Sequence, residues 1–65
     1  MEKDWMHVFS TTMEHISQIA KSVLEDNDIE CILIDKRDSS YHFGEIEVYV
    51  KHNHVVRAKY LLKDL

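Results

Sequence analysis

Polar side chains that can bind a ligand are concentrated in one stretch, DKRDSSYHFG at residues 35–44. The stretch combines two cations, two hydroxyls, two polar aromatic rings and the single glycine of the chain: Lys36, Arg37, Ser39, Ser40, Tyr41, His42 and Gly44. Cationic donors, hydroxyls and bare backbone are the groups with which a loop recognises a small polar or anionic ligand. The alternative is a hairpin connection in which Asp38 and Ser39 form turns and Gly44 supplies a positive φ. The composition favours the connection, with ligand binding as a secondary hypothesis.

Catalytic chemistry has a weaker basis in the same loop. Residues 38–42 contain aspartate, serine and histidine, the residue types of a nucleophilic triad. Neighbours on one loop seldom adopt triad geometry, because the base must lie beside the nucleophile and be oriented by a third group. Gly44 belongs to no nucleotide-binding or nucleophile-elbow pattern. We therefore expect no catalytic residue, and a small hydrolase is only a distant alternative.

Metal binding is suggested by five histidines, of which His52 and His54 lie two positions apart. A structural zinc site needs four ligands, usually paired at close spacing, and Cys31 is the only cysteine. Cys31 lies inside an apolar segment, so we expect a small buried hydrophobe rather than a reactive thiol. The sequence thus predicts no metal site and no cofactor, and a metal-dependent enzyme is a second distant alternative.

Length and charge limit the function classes. The 65 residues form one domain, residues 1–65. A chain of that size buries only roughly 60% of its unfolded surface, so oligomerisation is a common source of added stability. Twelve acids against eight bases give a net charge of −4, which argues against a nucleic-acid partner because phosphate contacts dominate such binding. No apolar run approaches the roughly eighteen residues of a transmembrane helix. We expect a cytoplasmic protein with no membrane or nucleic-acid partner.

Three strands are predicted, at residues 5–9, 29–35 and 44–50, and the last has strict alternation of acidic and apolar residues. With a helix after the first and third strands, the order is β-α-β-β-α. A right-handed crossover makes the first two strands parallel. Inserting the third strand between them, antiparallel to both, gives sheet order 1-3-2 with both helices on one face. The predicted fold is α+β, a ferredoxin-like half-sandwich.

The helix boundaries are predicted from capping residues. Thr11 and Glu14 stand at capping-box spacing before the first helix, and Asn27–Asp28 is expected to end it. Asn53 is the expected N-cap of the second helix. Apolar side chains recur at helical spacing in both segments: Met13, Ile16, Ile19, Ala20, Val23, Leu24, Val55, Ala58, Leu61, Leu62 and Leu65.

The segments IAKSVLEDNDIECILI, GEIEVYV and RAKYLL resemble a small bacterial domain family. Its members are labelled prokaryotic signal-transducing proteins and are grouped with the PII-like regulators of ferredoxin-like fold. The resemblance covers residues 6–62, and it implies that fold and a role in signal transduction. It carries over no catalytic residue, since none is established for the family. Asp28 stands where the family usually has glycine, in the turn after the first helix.

Strand alternation assigns two faces to the predicted sheet. The face toward the helices is expected to form the core with Val8, Ile16, Ile19, Val23, Leu33, Val48, Ala58 and Leu61. The opposite face is expected to present an apolar, aromatic patch with acidic neighbours, a candidate interface: Trp5, Phe9, Ile32, Ile34 and Tyr49. The first strand is also a sheet edge with unpaired backbone groups. We therefore predict a homodimer or a protein partner.

These observations favour a non-catalytic regulatory or interaction module rather than an enzyme. In this interpretation the 36–44 loop senses a small polar or anionic ligand. The alternative is a module that binds only another protein, through the helix-free face of the sheet.

Overall fold

The computed structural model describes residues 4–37 and 44–65 of the chain. These residues form three strands, two α-helices and one short 3₁₀ helix. In chain order they are β1 Trp5–Thr11, α1 Glu14–Asp26, β2 Cys31–Asp35, β3 Ile46–Lys51, the 3₁₀ helix His52–His54 and α2 Val55–Leu61. The predicted order β-α-β-β-α is confirmed.

Strand β3 is the centre of an antiparallel sheet in the order β1-β3-β2, as predicted. It pairs with both outer strands, so that Val48 lies opposite Leu33 of β2 and opposite Phe9 of β1. Because both outer strands run antiparallel to β3, they are parallel to each other. The strand with the clearest alternation in the sequence therefore takes the central place.

Both helices lie on the same face of this sheet. Strand β3 buries every second residue, Ile46, Val48 and Val50, toward that face. The side chains packed there come from both helices and from the turn after α1, and the fully or almost fully buried set is Ala20, Leu24, Ile29, Val48, Val50, Ala58 and Leu62. The fold is thus α+β, a three-stranded antiparallel sheet covered on one side by two helices.

The predicted core is correct in part. Val48 and Ala58 are fully buried, and four further predicted members pack against the buried cluster: Val8, Val23, Leu33 and Leu61. Ile19 is 44% exposed and Met13 52% exposed, so their placement in the apolar stripe of α1 was wrong. The stripe is rotated toward Ser17, Ala20 and Leu24. Leu65, predicted in the stripe of the last helix, is also 44% exposed.

A β-bulge in β1 changes the facing of one predicted interface residue. His7 lies opposite Tyr49 and Phe9 lies opposite Val48, so Val8 is an extra residue between two consecutive partners on β3. A bulge of this kind breaks the period of two on its own strand. Val8 and Phe9 both pack against the core, and the expected position of Phe9 on the helix-free face was wrong.

Helix α1 begins without the predicted capping box. Its N-cap is Met13, which makes no side-chain cap hydrogen bond. The Thr11 hydroxyl instead accepts a hydrogen bond from the Met13 amide at 3.1 Å. Thr11 is the last residue of β1, paired with Ile46, so it remains in the sheet and cannot reach the third amide of the helix.

The end of α1 has the Schellman arrangement, with an aspartate in place of the usual glycine. The Ile29 amide donates to the Leu24 carbonyl at 2.9 Å, and the Asp28 amide donates to the Glu25 carbonyl at 3.0 Å. Asp28 has a φ of +59°, the left-handed conformation that the Asn27–Asp28 prediction required. Ile29 and Leu24 are both buried, which is the hydrophobic contact that accompanies this motif.

The start of α2 also differs from the prediction. Asn53 lies within the 3₁₀ helix, and the N-cap is His54, with no side-chain cap hydrogen bond. The His52 amide donates to the Asp4 carbonyl at 2.7 Å, so the pairing with the β1 end of the sheet continues past β3. This continuation moves the helix start beyond Asn53.

Candidate functional site

The predicted ligand loop lies only partly within the described residues. Ser39, Ser40, Tyr41 and His42 fall outside them, as does Asp38, so the triad considered for residues 38–42 falls outside as well. Lys36, Arg37 and Gly44 are described, and they flank that segment on both sides.

Arg37 is held by Asp35, the acidic residue at the end of β2. Its Nε and Nη2 atoms donate to the Asp35 carboxylate at 3.1 and 2.9 Å, and its backbone amide donates to the same carboxylate at 2.9 Å. These hydrogen bonds hold the pKa of Asp35 at about 2, well below its ordinary value of 3.8. Glu14 lies 3.9 Å from the same guanidinium. Two carboxylates therefore already neutralise this cation.

Lys36 is paired in a similar way on the other face of the sheet. Its Nζ lies 3.0 Å from Oε1 of Glu47, which also accepts a 2.7 Å hydrogen bond from the Tyr49 hydroxyl. The hydrogen bonds from Tyr49 and Lys36 lower the pKa of Glu47, and the bond to Glu47 raises the pKa of Lys36. An anionic ligand would have to compete with Glu47 for Lys36. The paired cations thus weaken the anion-binding hypothesis.

A small cavity lies beside Arg37, between the start of α1 and the ends of β2 and β3. Its volume is about 120 Å³, below the several hundred Å³ of an ordinary ligand pocket. The lining combines two carboxylates, one guanidinium, two uncharged polar groups and two aliphatic groups: Glu14, Ser17, Gln18, Leu33, Asp35, Arg37 and Ile46. That charge balance favours a polar or cationic occupant over an anion.

Gly44 has the backbone role that the hairpin interpretation predicted. Its φ is +112°, in the region where side chains are strained. A Cβ atom at this position would clash with the carbonyl oxygen of Lys36. The Lys36 amide also donates to the carbonyl of Glu45 at 3.0 Å, so the pairing of β2 with β3 extends to the residue next to Gly44. The requirement for glycine here is conformational.

The helix-free side of the sheet brings together most of the predicted interface. Cross-strand partners share a face, so the register sets Trp5 beside Lys51 and sets His7 and Ile32 on either side of Tyr49. Ile34 lies opposite Glu47. We call this surface the open face: Trp5, His7, Ile32, Ile34, Glu47, Tyr49 and Lys51. Four of the five predicted interface residues lie on it, and Phe9 does not.

Polar groups cover and order the aromatic rings of the open face. The Lys51 ammonium lies 4.6 Å from the centroid of the Trp5 ring. The His7 and Tyr49 rings meet edge to face, with centroids 5.7 Å apart and planes at 77°. Because Glu47 accepts from Tyr49, each ring is fixed by a neighbouring polar group. Sequence reasoning missed Lys51, although extending the alternation of β3 by one residue would have placed it here.

Cys31 and the paired histidines are the other described residues whose types could take part in chemistry. Cys31 lies opposite Val50, is only partly exposed and packs against the core. Burial raises the pKa of its thiol, which disfavours the nucleophilic thiolate. Across residues 4–37 and 44–65, no three histidine, cysteine, aspartate or glutamate side chains come close enough to hold a metal ion. His52 and His54 lie in the 3₁₀ helix before α2.

Comparisons with known proteins give no relative. No protein-family model, curated protein or solved structure matches this chain. The resemblance to the signal-transducing family stays a prediction of the sequence. Among the described residues, no helix has the length and apolar character needed to cross a bilayer.

Proposed function

We propose that this chain is a non-catalytic interaction module of the regulatory kind, whose open face binds an apolar segment of another protein. The same proposal includes the assignment of the fold as a ferredoxin-like half-sandwich, which is typical of the signal-transducing family that the sequence resembles. The observation that carries it is the open face itself. Three strands contribute the half-buried Trp5, Ile32, Ile34 and Tyr49 to one surface on which neither helix packs.

The composition of this surface is that of an interface rather than of ordinary exposed sheet. Aromatic and aliphatic anchors surrounded by polar groups are the usual anatomy of a binding surface. The ring contacts made by Lys51 and His7 restrict Trp5 and Tyr49 before a partner arrives. Side chains that are already ordered lose less entropy on binding. The open face can therefore bind a partner with a smaller loss of side-chain entropy.

Peptide selection tests this proposal although the partner is unidentified. Peptides selected from a random displayed library on the wild-type protein should bind Trp5→Ala at least tenfold more weakly, as expected for an aromatic anchor. Tyr60→Ala is the matched control, because Tyr60 is an aromatic residue on α2 that is 65% exposed. Selected peptides that bind Trp5→Ala as tightly as the wild type would contradict the proposal.

The second candidate function is the sensing of a small polar ligand through the 36–44 loop. The cavity beside Arg37, although smaller than an ordinary ligand pocket, is the observation that favours it. A metabolite panel screened by thermal shift would detect it, since a ligand at one hundred times its Kd adds about 2.7 kcal/mol of stability. Replacing Lys36 and Arg37 with alanine should abolish that shift. A shift that survives the double substitution would move the ligand site away from this loop.

A further inference from the structure

Among the described residues, strand β2 is a sheet edge that contains neither a proline nor a bulge. In the part of the chain that the structure describes, β2 pairs with β3 alone, and β1 forms the other edge. The bulge between His7 and Phe9 interrupts β1, and bulges discourage further pairing. The register of β2 is regular over all five residues, and four of them, Cys31–Ile34, are apolar. An edge of this kind is a template for another strand.

The hydrogen-bond pattern shows which backbone groups of β2 face outward. The Lys36 amide donates to the Glu45 carbonyl, so these opposed residues form a hydrogen-bonded pair. Hydrogen-bonded pairs alternate with non-hydrogen-bonded pairs along an antiparallel ladder. The backbone groups of Ile34 and Ile32, two and four residues before Lys36, therefore also bond to β3. The amides and carbonyls of Cys31, Leu33 and Asp35 therefore point away from β3, toward the free edge.

We infer that this edge pairs with β2 of a second copy of the chain, antiparallel and about a two-fold axis at Leu33. That register sets outward-facing backbone groups against each other, as an antiparallel ladder requires. Leu33 would pair with the partner's Leu33, and Cys31 with the partner's Asp35. On the open face, Ile32 would lie opposite the partner's Ile34, an apolar cross-strand contact made twice.

Charge complementarity specifies this register over its neighbours. One residue before β2 stands Glu30, and one residue after it stands Lys36. Strand alternation puts both on the open-face side, and the two-fold axis at Leu33 places Glu30 opposite the partner's Lys36 at each end. A slip to the next permitted register would set isoleucine against one of these charges. The side chain of Lys36 is 55% exposed although it is paired with Glu47, so the partner's Glu30 would share the Lys36 ammonium with Glu47.

The dimer would have one six-stranded sheet, with all four helices on one side and both open faces joined on the other. Pairing of antiparallel strands about a perpendicular two-fold axis preserves the facing of each sheet. The inference does not depend on the proposed function, because it rests on the edge of β2 and not on Trp5.

Charge exchange between two variants tests the pairing. Glu30→Lys and Lys36→Glu, measured separately by sedimentation equilibrium, should each weaken the dimer roughly tenfold, since each places like charges at both ends of the interface. An equimolar mixture of the two variants should recover the wild-type Kd, because the mixed dimer again pairs opposite charges at both ends. Asp64→Lys and Lys59→Glu, exposed positions near the C-terminus and on α2, are matched controls that should not change the Kd.

Amide exchange gives a second, independent test. Exchange at Cys31, Leu33 and Asp35 should slow most as protein concentration rises through the Kd, because the amides of Ile32 and Ile34 are already bonded to β3 in the monomer. A folded wild type that remains monomeric at high micromolar concentration would overturn the inference, as would a mixture that associates no better than its components. Trp5→Ala should leave the dimer intact, so loss of peptide binding and loss of the dimer are distinguishable.

Discussion

Val48→Ala examines the packing at the centre of the sheet. Val48 is fully buried, lies between Phe9 and Leu33 on the neighbouring strands, and belongs to the cluster that both helices cover. The substitution removes two buried methyl groups, worth about 0.8 kcal/mol each in transfer free energy. Incomplete collapse of the space left behind adds about 1 kcal/mol. We expect the free energy of unfolding to fall by about 2–3 kcal/mol, a large fraction of the stability of so small a domain.

Urea denaturation followed by far-ultraviolet circular dichroism measures this change. For a chain of this size the slope is about 1 kcal/mol per molar urea, so the midpoint should fall by about 2–3 M. Val56→Ala is the matched control, because it makes the same chemical change at a residue of α2 that is 84% exposed. Its midpoint should stay level or rise slightly, since alanine favours helix. Equal midpoints for the two variants would show that Val48 does not lie in the core.

Further predictions concern the turn after α1 and Asp35, the last residue of β2. Asp28→Gly should raise the free energy of unfolding by about 0.5–1 kcal/mol, because glycine adopts a φ of +59° without steric cost. Glu25→Gly is the control inside the helix, and it should lower the free energy of unfolding by about 1 kcal/mol. Asp35 has its pKa lowered to about 2 by Arg37, so its contribution to stability is fully present above about pH 4 and is lost as the pH falls toward 2. Arg37→Gln should return the pKa of Asp35 toward 3.8 in a carboxyl NMR titration, and an unchanged value would contradict the assigned cause.

The sheet could be predicted because its signal is carried by alternation along single strands. Ile46, Val48 and Val50 indicate a buried face at every second position, and this strand occupies the centre. The bulge at Val8 could not be predicted in the same way, because Val8 and Phe9 are both apolar and either one fits either face. The position of the bulge is set by the pairing of β1 with β3, and the sequence of β1 alone does not specify that pairing.

The helix stripe was harder to orient, because α1 offers two overlapping apolar sets. Ile19 belongs to the set that faces partly outward. The buried set includes Ser17, a polar residue whose hydroxyl donates to the Glu14 carbonyl at 2.6 Å. A hydroxyl bonded within its own helix can be buried at little cost, and this local satisfaction is invisible to a hydrophobic pattern.

For the candidate site, too, strand alternation could be predicted from the sequence and contacts between elements could not. Placement of Trp5, Ile32, Ile34 and Tyr49 on one surface followed from alternation and strand order, both of which the sequence carries. The neutralisation of Lys36 by Glu47 depends on cross-strand register. The contact of Arg37 with Glu14 depends on the approach of α1 to the end of β2. Neither distance is encoded in the composition of the loop.

The extra residue in β1 determines where this strand can change in length. Val8 has no partner of its own on β3, while His7 and Phe9 oppose consecutive residues. Deleting Val8 would leave an ordinary ladder with His7 still facing outward and Phe9 still facing the helices. Deleting a residue elsewhere in β1 would invert the facing of every side chain on one side of the gap. The bulge is therefore the position at which a deletion in this strand can be absorbed without exchanging its two surfaces.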